Sequence, residues 1–108
     1  MFKSISSIKT TELLKGFNGK FVHTDNFTIA FWEIDKNSIL PKHAHIHEQT
    51  TQVLEGKLEL TIGENTKILE AGDLAIIPSN VSHSGKAITN CKVTDVFCPV
   101  REDYKFNK

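Results

Sequence analysis

At 108 residues the chain has room for one domain around one core and little surplus for a second. Thirteen Lys and Arg balance thirteen Asp and Glu, so bulk electrostatics argues against a nucleic-acid or other polyanionic partner, and any preference for an anion must be local. A single domain over residues 1–108 with neither an amino-terminal signal segment nor an apolar run able to span a bilayer is expected to be cytoplasmic, away from membranes, with reduced thiols.

The opening stretch SISSIKTTELLKGFNGK predicts an irregular segment with a brief helical turn, capped by Thr11 and running through Leu14 before Gly16. From Phe21 onward strand signals dominate. In order they are FVHTDN, FTIAFWEI, ILPKHAHI, QTTQVLEG, KLELTIG, TKILEAG, LAIIP, SHSGKA and KVTDVFCP, broken by Asp-Asn, Lys-Asn, Glu-Gly, Gly-Glu-Asn and Ala-Gly-Asp turns. Short strands at this spacing make an all-β sandwich or barrel, with its core over about residues 21–100. Ile29, Phe31, Leu58, Leu60, Ile76, Val93 and Val96 are assigned to the core or to a subunit surface, with no chemistry. Cys91 and Cys98 stand seven apart on one strand, which sends them to opposite faces and prevents a bridge between them.

Within this frame the stretch PKHAHIHEQTTQVLEG stands out. His43 and His45 alternate, so on an extended segment they project the same way and two neutral imidazoles can share one ion. Gln49, four residues beyond His45, returns to the same interior with Thr51 and Val53 on its face, and Thr50 and Gln52 on the other. Glu48 is the competing ligand, but it has the wrong face parity. A further donor must come from elsewhere, and His83 offers it: it follows a Gly-Asp turn, the apolar run Leu74 to Ile77 and Pro78, which together read as a buried strand ending in a turn. His47 is off the ligand spacing and belongs at the mouth or behind the ligands, while His23 reads as an ordinary strand or turn residue. Three imidazoles with a neutral amide leave a divalent ion its full charge, which favours anionic substrates and Lewis-acid polarisation. The expected cofactor is one divalent transition metal (Zn, Ni, Fe, Mn or Cu), since imidazole-rich sites do not select among them.

These residues resemble the cupin superfamily. Its first motif, two histidines one residue apart, then a carboxylate or amide, then a glycine, is matched by His43, His45, Gln49 and Gly56; its second, a glycine, a proline and a histidine, is matched by Gly72, Pro78 and His83. Asn37 and Asn80 stand where the motifs often have glycine, a substitution the left-handed tolerance of asparagine allows. Gln49 stands where many members carry glutamate. The fold this resemblance implies is a single-domain jelly-roll β-barrel with a short irregular or helical amino-terminal segment, commonly paired as a homodimer through outer sheets.

The last strand and its tail, NCKVTDVFCPVREDY, look like the small cupins of pectin and alginate breakdown, the KdgF type, which convert 4,5-unsaturated monouronates to linear keto acids. The likeness runs from about Asn37 to Tyr104. It implies that Asp95, Phe97 and Arg101 line the active site. The residues agree with this: Asp95 and Phe97 alternate with Val96 and share a face, and a charge amid VTDVF is out of place on a face otherwise apolar. Asp95 is then the acid or base, Phe97 a wall for a sugar ring, and Arg101, beyond Pro99, a two-pronged clamp for the carboxylate of a small anionic sugar. Other metal cupin enzymes, dioxygenases or sugar and keto-acid isomerases, and a non-catalytic ligand-binding cupin stay open, because fold alone does not choose among them.

Overall fold

The computed structural model describes residues 1–106; the last two positions of the 1–108 domain lie outside the described residues. Ten strands follow one another: β1 (Thr11–Leu14), β2 (Phe17–His23), β3 (Thr28–Ile34), β4 (Ile39–His43), β5 (Glu48–Glu55), β6 (Leu58–Ile62), β7 (Asn65–Leu69), β8 (Leu74–Ile77), β9 (His83–Ala87) and β10 (Cys91–Cys98). They form two antiparallel sheets of a jelly roll, a six-stranded one ordered β1-β2-β3-β10-β5-β8 and a four-stranded one ordered β4-β9-β6-β7.

Alternation of side chains builds the core between the sheets. Along β3 the buried residues are Thr28, Ala30, Trp32 and Ile34; along β5, Gln49, Thr51 and Val53; along β10, Cys91, Val93, Asp95 and Phe97. Leu58, Leu60, Leu69 and Ala87 close the core from the smaller sheet. Leu58, Leu60 and Val93 are therefore core residues as expected. Ile29, Phe31 and Val96 are half-buried on the far face of the larger sheet, where Ile76 is 61% exposed. Cys91 is buried and Cys98 exposed, and both are free thiols.

The amino-terminal expectation needs correction. Thr11–Leu14 is not a helical turn but an edge strand, paired antiparallel with β2 through Thr11 and Gly19. Four residues are too few to nucleate a helix alone, whereas pairing lets Leu13 pack against the core. Gly16 makes the reversal with φ of 81°, and a Cβ there would run into the Ser38 side chain. The only helical geometry before β1 is a 3-10 turn over Ile5–Ser7. The sheet thus begins ten residues earlier in the sequence than the expected 21–100 core.

Candidate metal centre

His43 and His83 are direct cross-strand partners on β4 and β9, with ring centroids 4.2 Å apart. β4 is an edge strand, which is why it accommodates Pro41, a residue with no amide proton to give to a ladder. Its register slips between Leu40 and His43. The expected strand through Ile46 stops at His43, and His45 stands in the bend before β5. That bend is tied across the molecule: the Asn80 backbone N–H donates to the His45 carbonyl at 2.7 Å. Asn80 has φ of 66° and Asn37 of 71°, so asparagine takes the left-handed conformation at both motif positions where glycine is usual.

All three rings are oriented the same way. Nδ1 of His43 donates to the Pro41 carbonyl at 2.8 Å, Nδ1 of His45 to that of His47 at 2.9 Å and Nδ1 of His83 to that of Val81 at 3.0 Å. A carbonyl only accepts, so each Nδ1 carries the proton and each Nε2 keeps its lone pair, the tautomer a metal ligand needs. The ligand atoms of the three histidines lie within 4.8 Å of one another. Burial pushes the pKa of His45 and of His83 down, which keeps both rings neutral.

Two observations show that this constellation fits a cation. The buried Nε2 of His83 has no hydrogen-bond partner. Gln49 donates through its amide nitrogen to Thr51 Oγ1 at 3.0 Å, which turns its oxygen toward Nε2 of His45 at 3.1 Å. With the proton of His45 on Nδ1, these are two acceptors facing each other, an arrangement a positive ion between them relieves. Gln49 is buried and Glu48 exposed, as the strand parity requires.

Asp95 faces inward between Ala30 and Thr51 on the flanking strands. Its Oδ2 accepts the indole N–H of Trp32 at 2.9 Å, while Oδ1 is buried without a partner. Burial raises its pKa from 3.8 to about 6, against the neighbouring polar groups of Thr51, Trp32 and Gln49 and the charge of Arg101, which pull it down. Phe97 is 2% exposed and packs edge-to-face with His45. Arg101, 7% exposed, reaches the same cavity as His43, His83, Gln49, Asp95 and Phe97. Asp103 binds the Arg101 fork through two bonds, from Nε at 3.0 Å and Nη2 at 2.8 Å.

The two histidines outside the cluster hold the tail that carries Arg101. His47 Nε2 donates to the Val100 carbonyl at 3.3 Å and His23 Nε2 to that of Tyr104 at 3.2 Å. His23 is thus more than the ordinary strand residue expected. Sequence reasoning also missed Trp32, Thr28, Tyr104 and Asp103 as site residues. For Trp32 a signal existed: the only tryptophan of the chain falls on the inward parity of FTIAFWEI, and a buried indole N–H needs an acceptor inside.

The cupin domain family matches residues 30–97, well over half of the sequence. The chain belongs to the cupin family. Among solved structures this cupin is similar to an RmlC-like cupin from Shewanella frigidimarina, at 26% identity and a TM-score of 0.91 over 95% of this chain and 94% of that one. It shares its fold with KdgF from Halomonas sp. (24% identity, TM-score 0.89, 95% of this chain and 96% of that one). The fold also recurs in oxalate decarboxylase from Bacillus subtilis, a protein with Mn(II) centres, at 21% identity and a TM-score of 0.80 over 90% of this chain and 29% of that one. No curated protein matches this cupin by sequence. Among the described residues no helix is long and apolar enough to cross a membrane.

Proposed function

We propose that this cupin is a metal-dependent enzyme that opens 4,5-unsaturated monouronates, the end products of pectin and alginate cleavage, and converts them to linear keto acids. The observation that carries the reading is convergence: Asp95 and Arg101, two buried ionisable residues, meet His43 and His83 of the histidine cluster in one cavity with Phe97. The reading makes the protein a cytoplasmic homodimer.

His43, His45, His83 and Gln49 would hold a divalent ion, which when bound supplies a Lewis acid for the substrate oxygens. Arg101 pairs with the substrate carboxylate and so fixes the ring against Phe97. Asp95 moves the proton. In ring opening the anomeric hydroxyl loses its proton as the bond from the anomeric carbon to the ring oxygen breaks, leaving an aldehyde and an enol. The enol then gives up its hydroxyl proton as the former C4 gains one, and the ketone results. The formula is unchanged and no electrons leave the substrate. Burial that raises the pKa of a carboxyl to about 6 brings it closer to neutral pH than an ordinary carboxylate, which suits a group that takes one proton and returns another.

Proton NMR of 4,5-unsaturated galacturonate in D₂O tests this reading. Metal-loaded protein should form the linear keto acid with deuterium at C4 faster than the spontaneous reaction. A rate equal to the spontaneous one, with metal bound, contradicts it.

A further inference from the structure

Arg101 sits on a short tail whose backbone is fastened at three places. Its own N–H donates to Thr28 Oγ1 at 2.9 Å, and the carbonyls of Val100 and Tyr104 accept from His47 and His23. Thr28 is fully buried, and its hydroxyl lies 2.8 Å from Nδ1 of His23. With the other His23 nitrogen donating to a carbonyl, Nδ1 is an acceptor and takes the Thr28 proton. The guanidinium rests against two rings, 4.7 Å from the centroid of Phe97 and 3.9 Å from that of Tyr104, which are perpendicular to each other.

What remains free is rotation of the fork, and Asp103 removes it. A guanidinium has five N–H groups. Asp103 uses one on Nε and one on Nη2, leaving the end edge, formed by Nη1 and the second proton of Nη2. Arg101 lines the cavity and Asp103 does not; the Asp103 side chain is 60% exposed. The edge given to Asp103 is thus held by a residue outside the cavity, and the end edge is the part of the fork left for a ligand within it.

We propose that Asp103 is a positioning residue: by binding one edge of Arg101 it presents the end edge, already oriented, to a ligand carboxylate. The carboxylate ligand class rests on the proposed uronate reading. The competing role for Asp103 is that of an internal carboxylate which a ligand must displace. The two roles predict opposite changes. Loss of a positioning contact weakens carboxylate binding, because the ligand must then immobilise the arginine itself. Loss of a competitor strengthens it.

Titration calorimetry with zinc-loaded protein separates them, using D-galacturonate as a saturated, unreactive probe and D-galactose as its neutral counterpart. Asp103→Asn and Asp103→Ala should weaken galacturonate binding about threefold to tenfold, with galactose binding, zinc affinity and melting temperature unchanged. Asp103→Glu should recover part of the loss, and Arg101→Lys should abolish the preference for galacturonate over galactose. Unchanged or tighter galacturonate binding in the Asp103 variants overturns the proposal, as does a wild-type protein that does not distinguish the two sugars. Turnover plays no part in this readout. Asp103-dependent binding without ketonisation would refute the proposed reaction and leave the clamp standing.

Discussion

Asp95 occupies a position that is expensive for a carboxylate. It is 8% exposed, one oxygen has no partner, and burial raises its pKa to about 6. A raised folded-state pKa means that the carboxyl disfavours folding once ionised: its contribution is intact below the unfolded value near 4 and is lost as pH rises through about 6. A shift of roughly two units corresponds to about 3 kcal/mol. Asp95→Asn should therefore stabilise the metal-free protein at pH 8, by up to about 3 kcal/mol, and by only about 1 kcal/mol at pH 4.5. Thermal melts of both proteins across that range check this, and a difference independent of pH contradicts it. Strand parity put Asp95 and Phe97 on one face of VTDVF, and the family resemblance gave that face its inward direction. Its partner Trp32 was not, because that hydrogen bond joins residues 63 apart in sequence through strand pairing.

At the scale of elements, the site depends on an edge strand, a bend and two asparagines. The slipped register of β4 and the bend after it bring His43 and His45 to one centre, and Asn80 ties the bend to the turn before β9. Asn80 at φ of 66° tolerates glycine, but a β-branched side chain there meets its own backbone. Asn80→Val should cost about 1–2 kcal/mol and weaken zinc binding, while Asn80→Gly leaves zinc binding within about twofold; denaturant melts and a zinc competition titration measure the two effects. Equal zinc affinity in the valine variant would show that the turn does not support His45. The histidine spacing and the motif glycines were legible because ligand geometry constrains sequence closely. β1 was misread because four residues carry almost no periodicity, and its conformation is decided by β2 beside it.

Across the whole molecule, the inner faces of the two sheets hold the site and the outer face of the larger sheet carries an apolar row. Val22, Ile29, Val96, Thr50 and Ile76 are aligned register partners from β2 to β8. If subunits pair through that face, as the homodimer reading holds, Val96→Asp together with Ile76→Asp should halve the mass measured by light scattering. A wild-type monomer would contradict the homodimer and leave the fold untouched. The two-sheet architecture was readable from strand count and turn spacing. The tail clasp of Thr28, His23 and Asp103 was not, since it arises only when the ends of β2 and β3 meet the residues after β10. The central claim is that Asp95 moves protons beside a histidine-held metal, and its most direct test is the ultraviolet absorbance of 4,5-unsaturated galacturonate. Metal-loaded wild type should remove that absorbance faster than the spontaneous reaction, and Asp95→Asn, with the same metal content, should fall by at least about a hundredfold. Equal rates for wild type and the asparagine variant would contradict the account.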